Sequence, residues 1–181
     1  MPIARQLQSG DLTLGDAFAF LSGLYFRGKL AYARRFGRAP DGDAAALVIT
    51  PSRGLMRADA LIDAALLREF AAAEVSADNA GYRLPLERDA TSLAMRLGTR
   101  TPVVLLGSVA TGKYVDLLAP IFGDRLRYPP AFIGRGDMSR GGLLLRHAAA
   151  GQELEYAPLQ HGIRPRGPRP PKLDPKDRVR A

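Results

Sequence analysis

The sequence predicts an α/β fold: a three-layer, Rossmann-like domain whose mostly parallel sheet carries helices on both faces. Three observations predict it. Short apolar runs rich in β-branched residues alternate with stretches of helical apolar spacing. The principal runs lead into loops rich in glycine, hydroxyls and cations. With 181 residues, 46% of them hydrophobic, the chain has enough apolar material for one substantial core.

A helical segment is expected over about 14–36, where Ala17, Phe18, Leu21, Leu24, Tyr25 and Leu30 recur near helical spacing. Ser22-Gly23 breaks it in two and Gly37 stops it. Its second half is basic through Arg27, Lys29, Arg34, Arg35 and Arg38, a solvated face or a phosphate-contacting one. Ala45–Thr50, with Leu47, Val48 and Ile49, reads as a buried strand ending in the turn Pro51-Ser52-Arg53-Gly54. A helix is expected over Asp59–Ala73 and another over Leu86–Leu97, stopped by Gly98. Pro102–Leu106 is the second strand, and Tyr114–Phe122 a helix that Pro120 bends or ends. Arg125–Tyr128 and Ala131–Ile133 are further strands, Leu143–Ala150 is the last helix, and Glu153–Leu159 a closing strand.

Residues 1–163 are thus expected to form one domain and residues 164–181 a disordered tail. That tail holds seven of the chain's basic residues against two acidic ones, with five prolines and almost no apolar residues to bury. The net charge of +8 is concentrated there. Such a segment, with the basic helix, suits nucleic-acid phosphates or simply solubility. No cysteine is present, which excludes disulfides and thiolate chemistry and favours a reducing cytoplasm. Met1–Gly10 lacks the pattern of a signal peptide, and Leu12–Phe26, interrupted by Asp16, is too short to span a bilayer, so no membrane association is expected.

In an open parallel sheet, ligands bind where loops leave the carboxyl ends of strands. Three loops qualify: Thr50–Gly54, Gly107–Lys113 and Gly134–Gly142. The second matches G-x-x-x-x-G-K, in which glycines turn backbone N–H groups toward an anion and a lysine reaches its phosphates. Tyr114 replaces the hydroxyl residue that would hold magnesium, and no apolar strand ends in the second metal-binding aspartate. The loop therefore reads as an anion cradle without triphosphate hydrolysis, or as a turn whose glycines permit close packing. The candidate anion-binding residues are Gly107, Ser108, Thr111, Gly112 and Lys113, with Thr50, Ser52 and Arg53 from the first loop and Arg135, Ser139 and Arg140 from the third. Arg135 and Arg140 have the chemistry of a bidentate phosphate clamp. Asp137 is the candidate catalytic acid or base; an Asp-Arg pair and a helix cap are its structural alternative. Asp116, Glu87 and Asp89 read as surface carboxylates. His147, in a helix, and His161, near the tail, are too few for a histidine metal site or triad, and no cofactor is expected.

Tyr25-Phe26-Arg27-Gly28-Lys29, Val48–Leu55, Gly107–Asp116 and Gly134–Leu145 together resemble an uncharacterised family of conserved bacterial proteins, over most of residues 12–159. The resemblance implies no activity. The order of strand, polar loop, helix, strand and glycine loop is also similar, at the level of fold, to uracil-DNA-glycosylase-like domains, which handle nucleic acid or its bases. None of that family's water-activating or base-reading motifs falls on residues of this chain. Two functions are expected from these features. One is a domain that recognises phosphate and binds or acts on a nucleotide, a nucleoside phosphate or nucleic acid. The alternative is a non-catalytic interaction module that uses the basic tail and helix, its glycine loops being structural.

Overall fold

A computed structural model describes residues 2–40 and 42–159, together with Pro165, Gly167, Pro168, Pro170 and Pro171. The expected disorder of the tail, and His161, therefore lie outside the described residues, those five positions excepted.

Helix α1 (Pro2–Ser9), which the sequence reading lacks, precedes α2 (Leu14–Leu21). Thr13 caps α2: its hydroxyl accepts from the Asp16 amide at 3.2 Å and donates to the Asp16 carboxylate at 2.9 Å. Gly23, at φ +66°, turns the chain into α3 (Gly23–Phe36), as Ser22-Gly23 predicts.

The next segment departs from expectation. β1 (Leu47–Ile49) pairs antiparallel with β2 (Leu55–Arg57), so Thr50–Gly54 is a hairpin turn and not a crossover loop. Its geometry is local. The Thr50 hydroxyl donates to the Gly54 carbonyl at 2.9 Å and accepts from the Arg53 amide at 3.0 Å, while Gly54 adopts φ +61°. Residues 58–62 then bond to residues 12–15, through Gly15 N to Ala58 O, Leu14 N to Ala60 O and Ile62 N to Leu12 O. That pairing delays helix α4 (Ala64–Ala72) until Asp63, whose carboxylate caps it through the Leu66 amide at 2.8 Å.

Helix α5 (Ala80–Arg96) begins six residues before its expected start because Asn79 caps it, accepting from the Gly81 amide at 2.9 Å. β3 (Val103–Val104) leads through the glycine loop to α6 (Gly112–Phe122), whose Pro120 sits in the final turn. β4 (Leu126–Tyr128) lies parallel to β3, and β5 (Ala157–Pro158) antiparallel to β4. Between β4 and β5 come a 3-10 turn (Pro130–Phe132) and α7 (Asp137–Ala150). The strand expected at Ala131–Ile133 is that turn: Pro129 and Pro130 lack the N–H donors a ladder needs.

The fold is therefore mostly helical, with two small sheets of two and three strands. The three-layer parallel sheet is not formed. Parallel neighbours require a long crossover, and β3-α6-β4 alone supplies one among the described strands. The other links are the tight β1–β2 hairpin, the passage from β2 to β3 in the other sheet, and the antiparallel return from β4 to β5.

The core falls into three clusters: one around Tyr82, Leu86, Leu118 and Leu126; one around Leu14, Leu30, Val48 and Phe70; and one around Tyr32, Phe132 and Leu144. Helices α3 and α7 cross at their glycines, where a Cβ on Gly28 would lie 2.6 Å from the Gly141 carbonyl oxygen. Among the described residues, no helix is long and apolar enough to cross a membrane.

Candidate functional site

The crossing of α3 and α7 places the start of α7 beside one face of α3. On that face Tyr25, Lys29, Tyr32 and Phe36 follow each other at spacings of three and four, and all four line a cleft of about 840 Å³. Apolar residues of β1, of β3 and of the segment just after it, including Val48, Ile49, Val104 and Leu106, supply the facing wall. The charged lining residues are Lys29, Arg38, Lys113, Arg127, Asp137 and Glu153; Arg38 lies 4.0 Å from Glu153. Cations thus outnumber acids in a cavity whose remaining lining is mostly apolar.

Lys29 is the best-defined of these groups. Its ammonium lies 3.9 Å from the centre of the Tyr25 ring and 5.9 Å from that of Phe26. Among the described residues it has neither an ion pair nor a hydrogen bond. Burial lowers its pKa from 10.5 to about 8; the Asp137 carboxylate opposes that shift, and the charges of Lys113 and Arg140 add to it. The Tyr25 hydroxyl donates to the Leu106 carbonyl at 3.0 Å, and burial pushes this phenol up to about 12 despite the guanidinium of Arg140.

Lys113 reaches the same cleft from the first turn of α6. The Tyr82 hydroxyl fixes that turn by donating to the Lys113 carbonyl at 3.0 Å, and the Lys113 ammonium sits 5.0 Å from the Tyr114 ring. Gly107 lets that ring in, since a Cβ there would stand 3.2 Å from it. The loop between them turns Val109 into the core, where it is 1% exposed. Neither Gly107 nor Gly112 adopts positive φ. The glycine of the close-packing turn thus accounts for Gly107, while Lys113 remains directed at the cavity.

Of the other expected site residues, Thr50 and Asp137 also line the cleft, Thr50 with its hydroxyl committed to the hairpin. Ser52 and Arg53 are turned to α4: Ser52 donates to Glu69 at 2.5 Å, and Arg53 grips the same carboxylate through bonds of 2.7 and 2.5 Å, which holds Glu69 down at about 2. Ser108 accepts from the Ala110 amide at 3.4 Å, and Thr111 precedes α6 without a side-chain cap bond. The arginine pair is not aimed at the cavity. Arg135 donates to the Ala131 carbonyl and to Ser139, at 2.9 and 3.1 Å. Arg140, 7% exposed, donates to the Phe132 carbonyl at 3.3 Å and touches Asp137 at 3.5 Å. Asp137 opens α7 beside Gly136, which caps it without a side chain. His147 is bonded to the Gln152 carbonyl at 2.9 Å, outside the cleft.

The structure thus brings Lys113 and Asp137 together with Tyr25 and Lys29, which the sequence reading treats only as parts of a basic helix. The signal for them is the spacing Tyr25-x-x-x-Lys29-x-x-Tyr32 on one helical face. Among the described residues, no group of three His, Asp or Glu side chains is placed to hold a metal ion. Compared with protein-family models, curated proteins and solved structures, the chain has no match.

Proposed function

We propose that the cleft binds a small phosphorylated molecule, with nucleoside phosphates and sugar phosphates as the classes to test first. Lys113 faces the phosphate with Lys29 beside it in the cleft, the rings of Tyr25, Phe26 and Tyr114 face the body of the ligand, and Asp137 supplies a proton acceptor or a partner for a hydroxyl. One observation carries this reading. Two ammonium groups from distant parts of the chain enter one apolar cavity, and among the described residues neither has a carboxylate partner. A partly buried cation whose charge is only partly offset is costly, and an anionic ligand lowers that cost.

Thermal-shift measurements test it. Inorganic phosphate, nucleotides or sugar phosphates are expected to raise the melting temperature of the wild type, and Lys113→Ala to lose most of the rise. If none of these, nor an oligonucleotide, stabilises the protein, the reading fails.

A further inference from the structure

Arginine is the default cation of this chain, 22 residues against four lysines. Every ion pair found among the described residues is made by arginine. Two lysines, Lys172 and Lys176, belong to the tail. The remaining two, Lys29 and Lys113, line the same cleft. A guanidinium stays protonated and forks onto anions, whereas an ammonium can release its proton and become a nucleophile. An arginine-rich protein that keeps lysine at both of these positions has placed amines where a site is open.

The two amines differ. Lys113 stands on the first turn of α6, where the helix N-terminus favours an anion. Lys29 rises from the middle of α3 against the Tyr25 face, in an apolar wall. The charged and titratable groups around it are Lys113, Arg140, Asp137 and Tyr25; both cations disfavour a further positive charge on Lys29, as burial does. Desolvation and a neighbouring cation are what turn a lysine into a nucleophile at neutral pH.

We propose that Lys29 forms an imine with a phosphorylated aldehyde or ketone held in the cleft, Lys113 binding the phosphate; this rests on the reading of the cleft as a phosphate site. The ammonium first gives its proton to water. The nitrogen lone pair then adds to the carbonyl carbon, making the C–N bond, while the C=O pair moves to oxygen and takes up a proton. Loss of that oxygen as water, with the remaining proton leaving the nitrogen, yields C=N. In sum, amine and carbonyl give imine and water, with no oxidant or reductant consumed.

The four lysines make a direct test. Full-length protein is treated with pyridoxal 5′-phosphate, or with pyridoxal, and cyanoborohydride, and each lysine is followed by peptide mapping. Lys29 is expected to be modified at least about tenfold faster than Lys172 and Lys176. Its rate climbs with pH through about 8, inorganic phosphate slows it, and Lys29→Arg abolishes it without shifting the adduct to Lys113. Melting of Lys29→Arg, measured alongside, shows whether the fold is kept; if it is not, the wild-type map decides alone. Lys29 reacting no faster than the tail lysines, or the adduct falling mainly on Lys113, overturns the proposal. If phosphates stabilise the fold while Lys29 stays unmodified, the imine is wrong and the phosphate site stands. If pyridoxal modifies Lys29 as fast as its phosphate ester does, the nucleophile stands and the phosphate site is wrong.

Discussion

Gly28 and Gly141 meet backbone to backbone where α3 crosses α7, and neither position has room for a methyl group: a Cβ on Gly28 would stand 2.6 Å from the Gly141 carbonyl oxygen, and one on Gly141 would stand 2.7 Å from the Leu24 carbonyl oxygen. The crossing fixes Tyr25 and Lys29 against the start of α7. Gly28→Ala or Gly141→Ala must push two helices apart and is expected to destabilise the fold by about 1–3 kcal/mol. Gly142, one residue on, has nothing within 4 Å of the same position. Gly142→Ala is therefore expected to stabilise by about 0.5–1 kcal/mol through helix propensity. Urea denaturation of the three variants checks both signs.

Lys29 is expected to make stability depend on pH. Its folded pKa, about 8, lies below the ordinary 10.5, so between those values the unfolded chain binds more protons than the folded one. Stability therefore rises with pH across that window, and the full cost of charging Lys29 is present below about 8. Lys29→Met removes that cost. The variant is expected to be more stable than the wild type at neutral pH, with the difference shrinking as pH climbs toward 10. Denaturation midpoints along that range test this, and a difference that does not change with pH refutes it.

Tyr32 is 2% exposed, and its hydroxyl accepts from the Leu154 amide at 2.7 Å while meeting the Tyr156 hydroxyl at 2.7 Å. Tyr32→Phe leaves the buried Leu154 N–H without its acceptor, at a cost of about 1–3 kcal/mol. Tyr156→Phe keeps that acceptor and is expected to cost less. Hydrogen exchange at the Leu154 amide separates the two: protection falls sharply in the first variant only.

Arg53 and Lys113 look alike as cations at the ends of glycine-containing loops, but the structure gives them different partners. Arg53 is taken up by Glu69, whereas Lys113 faces the cavity. Arg53→Ala is therefore expected to leave phosphate stabilisation unchanged, and Lys113→Ala to remove most of it. Equal loss in both variants would return the Thr50–Gly54 turn to the site.

Helices α2 to α7 are legible, at least in part, because they carry their own signals: apolar spacing, a Ser22-Gly23 break, and Gly37 and Gly98 at or just beyond the ends of α3 and α5, whereas α1 is not read from the sequence. Pairing of strands is not legible. Leu47–Ile49 reads as an apolar run, but nothing local tells that Leu55–Arg57 returns alongside it, and a three-residue strand leaves little pattern to read. Helix α7 starts six residues before its expected start because Gly141 and Gly142, which suggest a loop, serve the contact with α3 or are merely tolerated. The position of Lys113 in the first turn of the helix after the glycine loop is readable from its motif. Lys29 is not, since its surroundings are assembled by contacts such as Tyr25 to Leu106, which joins residues 81 positions apart.

The walls of the cleft draw on all three core clusters, through Leu105 and Leu118 from the first, Leu30 and Val48 from the second, and Tyr32 from the third. A molecule filling it acts as a keystone. It ties together three groups of side chains that otherwise pack mainly among themselves, so occupancy makes their unfolding more concerted as well as less favourable. Substitutions far from either lysine, at Phe70 or Leu144 for instance, would then affect binding of such a molecule through the clusters to which those residues belong.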